Sequence, residues 1–384
     1  MYELKPLNNM LAMIDRLVGK VGIRKGQSTI ISLAVLGMMM TSFSKFSFFN
    51  ETLSKQGISP RMVSVIGSGL FFVFLILIFV SLDKNTDAEV KFNAWLGVPL
   101  LLIVVSYMIT GIVEKAPKQI VWALVYSFVF APISYRLANR DNRKNFLNGL
   151  VYGIAAFGIF VLVLNVVFSP VVARNSYYGP RYTGVLTNPT ILGYNLNTFI
   201  AAYAYIIYKK IFVDKADFRK LSDGLILAIA IWGMSMSWCA ILLTKSRGSF
   251  LGIIGVMFFF AIMCIKGLAK VRIGAKNLVT ILVIAVVMMM SAYKFSDSIL
   301  QRNLRALNIK GHYTITHMMF GRIQEMSNFK NVEEYHFDYM EPKNLTEAQR
   351  KVWRDLDKLT THRIWIWYIY SQHLGFIGHK SRTF

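Results

Sequence analysis

Residues 146–169 read FLNGLVYGIAAFGIFVLVLNVVFS, a run without one charged side chain. A helix needs about 20 mainly apolar residues to cross the hydrocarbon core of a bilayer, so this stretch reads as a membrane span. Stretches of the same kind lie near 29–49, 63–82, 92–113, 118–135, 189–208, 224–243, 249–266 and 277–294. The expected fold is therefore all-α, a polytopic transmembrane helix bundle of about nine spans. A cytoplasmic segment 1–28 precedes the bundle of 29–294, and 295–384 forms an outer-face loop region. Because the first span is followed by others rather than by a small-residue cleavage site, it reads as an anchor and not as a removed signal peptide.

Composition agrees. Of 384 residues, 55% are hydrophobic and only 16% charged, with a mean hydropathy of +0.46, which excludes soluble, collagen-like and disordered classes. The two cysteines, Cys239 and Cys264, each sit in an apolar run. The topology assigns them to opposite ends of their spans, so neither a disulfide framework nor a cysteine zinc site is expected.

The net charge of +23 would suggest nucleic acid if the cations gathered on one wet surface. They alternate instead. With the N-terminus inside, inner segments hold dense clusters such as Arg136, Arg140, Arg143 and Lys144, or Lys209, Lys210, Lys215, Arg219 and Lys220. The outer loops hold about half as many, among them Lys45, Lys115, Arg181 and Arg247. Positive-inside counting accounts for that pattern, and no nucleic-acid partner is expected.

Beyond residue 294 the apolar rhythm stops, and 295–361 is a long polar segment of the size of a lid or binding loop. Leu300, Leu304 and Leu307 repeat on one helical face, as do Leu345, Val352, Leu356 and Leu359. Thr346 and Gln349 stand at capping-box spacing after Pro342. Such helices are expected on the membrane surface. The apolar stretch from Ile364 to Gly378 is too short to span and carries Trp365 and Trp367, which suit an interfacial depth.

Two outer loops carry the candidate chemistry. The first reads Arg181-x-x-Gly184-x-x-x-Asn188-Pro189-Thr190, with no acidic residue between Val166 and Lys210. Asn188 is placed to cap a helix opening at Pro189. Amides left free at that helix start, together with Arg181, would seat an anion; the alternative is a surface arginine anchored to lipid phosphate. The second loop, Thr244-Lys245-Ser246-Arg247-Gly248-Ser249, sets two cations beside three hydroxyls. A planar guanidinium binds phosphate bidentately while hydroxyls and glycine amides complete the shell, or else the segment is an ordinary hairpin whose cations reach headgroups. Glu333, Glu334, His336 and Asp338 form a further cluster, which reads either as a base or metal site or as a solvated loop; its spacing matches no metal signature.

Taken in order, these residues resemble the O-antigen ligase and polysaccharide polymerase family of membrane glycosyltransferases. That family has Arg, then Gly, then Asn-Pro-Asn before a span, and Thr-x-Ser-Arg-Gly at a later outer turn. A third element is echoed by Arg363-Ile364-Trp365 and Gly378-His379-Lys380, while Thr190 stands in place of the second Asn. The motifs cover residue 181 onward. The resemblance implies transfer or polymerisation of a polyprenyl-diphosphate-linked oligosaccharide at the outer face of the cytoplasmic membrane. It further implies that Arg181, Arg247 and Arg363 grip the diphosphate, with Asn188, Thr244, Ser246 and Gly248 in support and with neither cofactor nor metal. It leaves ligase and polymerase open.

Family members continue into a His-Asn pair that supplies a catalytic histidine, and by the order of the motifs that histidine would fall beyond Phe384. His312, His317, His336, His362, His373 and His379 all precede that place, so the role is carried onto none of them, and a chain truncated before its catalytic base is expected. The alternative is a transporter or flippase using the same arginines to bind an anionic lipid-linked substrate; the near absence of acidic residues from the spans weighs against it.

Overall fold

The computed structural model describes chiefly residues 26–46, 55–82, 94–113, 117–127, 139–168, 173–175, 179–186, 188–244, 246–306, 346–347 and 349–352, with isolated further positions such as Ile133 and Arg136. Nine α-helices lie among the described residues: α1 (Gln27–Phe46), α2 (Pro60–Ser81), α3 (Ala94–Val113), α4 (Pro117–Val125), α5 (Arg140–Phe168), α6 (Pro189–Tyr208), α7 (Leu221–Thr244), α8 (Arg247–Lys270) and α9 (Ala275–Ala306). Each overlies one of the expected stretches. Four are long and apolar enough to cross a membrane, over Arg140–Val167, Leu221–Thr244, Gly248–Lys270 and Ala275–Arg302, and Gln27–Phe43, Val65–Ser81 and Leu101–Val113 are shorter apolar helices. The fold is thus mostly helical, and its apolar helices fit a lipid bilayer.

The chain divides into two compact units. The smaller contains α3 and α4, where the Tyr107 and Tyr126 rings stand 5.7 Å apart, and the Thr346 turn. There the expected capping box is present: Gln349 donates its amide to Thr346 Oγ1 at 3.4 Å, and Thr346 donates its own to Gln349 Oε1 at 2.9 Å. The last residue, Phe384, beyond which the resemblance puts the catalytic histidine, lies outside the described residues.

The larger unit holds the other helices. Its core joins α5, α6 and α7 through Val161, Leu162, Leu196, Phe199, Leu227 and Ile241. Hydrocarbon tails are as apolar as leucine, so helix association in a membrane depends on close packing and hydrogen bonds rather than on water exclusion. Glycines supply the closeness. Gly149 and Gly153, four apart on α5, meet α1, and a Cβ at either would lie 2.8 Å from Ser28 O or 2.7 Å from Ser32 O. Tyr203 of α6 fills the space left by Gly158 of α5 and Gly233 of α7; a Cβ would lie 2.5 Å from its hydroxyl or 2.6 Å from its ring. The hydroxyl donates to Ala155 O at 3.0 Å.

One end of this unit is polar and basic. Arg136, only 2% exposed, donates through Nη1 to Phe79 O at 3.0 Å and Leu82 O at 2.8 Å, and its guanidinium lies 4.1 Å from the Phe79 ring centroid. The last carbonyls of a helix lack the usual i+4 donor; Phe79 O accepts the Leu82 amide at 3.3 Å, and Arg136 adds a second donor there, serves Leu82 O and opposes the helix dipole. Asn142 ties the same end together, donating to Arg136 O at 2.8 Å and accepting from Gln27 Nε2 at 2.9 Å. Just past the C-terminus of α6, Lys210 donates to Asp223 at 2.8 Å. The hydrogen bond to Asp223, before any other cause, raises the Lys210 pKa.

The opposite end gathers the C-termini of α5 and α9, where Arg302 Nη1 donates to Val166 O at 3.2 Å. Here one expectation is corrected. Residues 295–306 are not a separate surface helix; α9 runs on through them to Ala306, because Ser296, Ile299 and Leu300 are buried against the core. Cys239 and Cys264 are both free thiols.

Candidate functional site

The loop that carries Arg181 starts as a short ribbon. β1 (Ala173–Asn175) pairs antiparallel with β2 (Gly179–Arg181), with Arg181 opposite Ala173 and Arg174 opposite Pro180. The chain then turns inward. Tyr182, Thr183, Gly184, Val185 and Leu186 are all buried, and the last three form a single 3-10 turn. Tyr182, Val185 and Leu186 join the hydrophobic core, so this loop is a plug seated in the end of the unit rather than a solvated strap. Burial pushes the Tyr182 phenol far above its usual range, which keeps its hydroxyl protonated.

Two contacts fix the plug. The Tyr182 amide donates to Leu243 O at 3.1 Å, near the end of α7. The Val185 amide donates to Asn165 Oδ1, on α5, at 2.9 Å. Gly184 adopts φ +54°, a left-handed conformation that costs most residues but not glycine. A Cβ there would also lie 2.6 Å from Asn165 Oδ1 and 2.9 Å from Leu192 Cδ2. The glycine picked out by sequence is therefore required both by its backbone and by the space around it.

Asn188 caps α6 as expected: its Oδ1 accepts from Thr190 N at 2.8 Å and Ile191 N at 3.2 Å. The expectation of free amides at that helix start fails for the same reason. Pro189 has no N–H, Thr190 and Ile191 are taken by the Asn188 side chain, and Leu192 donates to Asn188 O at 3.0 Å.

The second loop packs directly on the first helix. Gly193 of α6 faces Ser249 of α8, and a Cβ there would overlap the Ser249 hydroxyl. Asn197 donates from Nδ2 to Ser249 O at 2.9 Å. The α6 and α8 starts are thereby held side by side at the end where Tyr182 meets α7. Two of the three hydroxyls expected to complete an anion's shell, those of Thr244 and Ser249, donate inside the turn. Thr244 donates to Ile241 O at 2.8 Å and accepts from Ser246 N at 3.2 Å; Ser246 Oγ accepts the Ser249 amide at 3.4 Å and the Ser249 hydroxyl at 2.9 Å. Thr244, Ser246 and Ser249 are buried, so they shape the turn. Gly248, by contrast, is exposed on the first turn of α8, and its amide makes no hydrogen bond to another described residue. A Cβ on it would lie 3.7 Å from Tyr194 Oη.

Arg247 opens α8, and four extended residues reach at most about 14 Å, which bounds its backbone distance from Leu243 and so from the Arg181 loop. Both arginine positions thus belong to one end of the larger unit. Arg363 and the cluster of Glu333, Glu334, His336 and Asp338 lie outside the described residues. Asn197 and Asn165 were not singled out by sequence. Asn165 alone left a signal, as a polar residue near the end of an apolar run.

Comparison of the chain with protein-family models, with curated proteins and with solved structures found no match in any of the three.

Proposed function

We propose that the chain binds a polyprenyl-diphosphate-linked oligosaccharide at the outer face of the cytoplasmic membrane and acts on it as a metal-independent glycosyltransferase in surface-polysaccharide assembly. In this reading the nine helices are nine spans, the N-terminus is cytoplasmic, and Arg181, Arg247 and Arg363 grip the diphosphate. The observation that carries it is the seating of the Arg181 loop on α7 by the Tyr182–Leu243 hydrogen bond, four residues before Arg247. The exposed first turn of α8 adds the Gly248 backbone N–H at a positive helix end, which favours an anion there.

The chemistry follows from the leaving group. An acceptor hydroxyl attacks the anomeric carbon, the bond from that carbon to the diphosphate oxygen breaks, and the hydroxyl proton passes to a general base. Charge grows on the departing diphosphate, and fixed guanidinium groups stabilise it most when it is most developed. No described residue is assigned as the base.

Incubating the protein in liposomes with labelled polyprenyl-diphosphate repeats tests the reading. In a form of the chain that carries the family's His-Asn pair, lengthened or transferred glycan is expected, with Arg181→Lys and Arg247→Lys each cutting its rate about a hundredfold, equivalent to about 2.7 kcal/mol. Lysine keeps the charge but loses the bidentate fork. Labelled substrate moved across the membrane without a new glycosidic bond would replace the reading with transport.

A further inference from the structure

Asn165 is 1% exposed and lies in the last turn of α5, in a run that is otherwise apolar from Gly153 to Phe168. A polar side chain at such a place is costly, and in membrane helices it commonly marks function. Its use here is specific. Oδ1 accepts the Val185 amide at 2.9 Å, while Nδ2 is buried with no hydrogen-bond partner among the described residues. Asn165 therefore spends its one made bond on the Arg181 plug and not on a neighbouring helix.

The plug is shaped around that bond. Gly184, whose φ of +54° turns the chain so that the next amide points at α5, leaves room for the carboxamide that any Cβ would displace. The Tyr182 hydroxyl is also buried without a partner among the described residues. Buried polar atoms are nearly always paired in native structures. The side-chain bond that Asn165 does make among the described residues is to the loop that leads back to Arg181.

We infer that Asn165 is a positioning residue of the diphosphate site: it fixes the Gly184–Leu186 turn against α5 and thereby sets where Arg181 stands relative to α8. This rests on the reading of Arg181 and Arg247 as the diphosphate grip. Asn165 touches no substrate; it acts through Val185 and the backbone that leads to Arg181.

The test compares wild-type protein in nanodiscs with Asn165→Leu, which removes the acceptor, Asn165→Asp, which keeps an acceptor oxygen, and Gly184→Ala, which presses on the bond from the loop side. Hydrogen exchange over 183–188 and over α7 is read alongside titration with farnesyl diphosphate. Asn165→Leu and Gly184→Ala should each speed exchange over 183–188 at least tenfold, leave α7 unchanged and raise the farnesyl diphosphate Kd about tenfold. Asn165→Asp should keep the slow exchange. If wild-type protein does not bind farnesyl diphosphate, the diphosphate reading itself falls. If wild-type binds and Asn165→Leu binds equally well, or if exchange rises throughout α7 as well, Asn165 is only a packing residue and the inference is wrong.

Discussion

The amide of Tyr182 donates to the carbonyl of Leu243 across 3.1 Å, so the residue after Arg181 is fastened to the helix whose end leads, four residues later, to Arg247. A loop about sixty positions away in sequence thus becomes the neighbour of a tight turn. The link uses only backbone atoms, and it depends on a plug whose Val185 and Leu186 are buried in the core. The Arg181 and Arg247 positions, separate motifs in the sequence, belong to one end of the larger unit.

The alternation of helix ends within the larger unit gives a direct topological prediction. Gln27, Leu82 and Asn142 meet at one end, Val166 and Arg302 at the other. With the basic end cytoplasmic, a reporter active only in the cytoplasm should work when fused after Arg143 or Lys215 and fail after Lys330. Activity after Lys330 would contradict the outer-face placement of the segment that follows α9.

Tyr203 and its two glycines should be a point of high sensitivity. Gly233→Leu and Gly158→Leu force overpacking of a filled space and should each destabilise the protein by about 1–3 kcal/mol. Tyr203→Phe loses only the hydrogen bond to Ala155 and should cost roughly 0.6–2 kcal/mol, the range for interhelical hydrogen bonds in membranes. Unfolding of the three variants in detergent, followed by loss of helical signal, would rank them in that order.

Arg136 should matter although it contacts no proposed substrate. Arg136→Met keeps the packing on Phe79 and leaves the Phe79 and Leu82 carbonyls without this donor, which should cost about 1–3 kcal/mol of stability. Diphosphate affinity should stay unchanged at a temperature where the variant is folded. A stability equal to wild type would mean that water serves those carbonyls equally well.

Arg136 also shows what a sequence conceals. By position it counts as one more inner-loop cation, and only the fold reveals that it is buried against the end of α2. The helices were legible because runs such as 146–169 have one physical solution in lipid, and the Asn188 cap was legible because Asn-Pro is a local signal. The β1–β2 ribbon was not, since three-residue strands ending in Gly-Pro-Arg show no alternation. Nor was the continuation of α9 through Asp297 and Arg302, where polar residues end the apolar run while Ile299 and Leu300 still pack inward. The hydrogen bonds of Thr244 to Ile241 and of Ser249 to Ser246 were not legible either, because hydroxyls beside arginines give no sequence sign of which partner they take.

The central claim, that Arg181 and Arg247 grip one diphosphate, is tested most directly by farnesyl diphosphate affinity in nanodiscs. Arg181→Lys and Arg247→Lys should each raise the Kd at least tenfold, at least about 1.4 kcal/mol, and the double variant should lose less than the sum, since both forks serve the same ligand. Lys115→Ala should bind as wild type does. Wild-type affinity in both lysine variants would contradict the account and reduce the two loops to headgroup anchors.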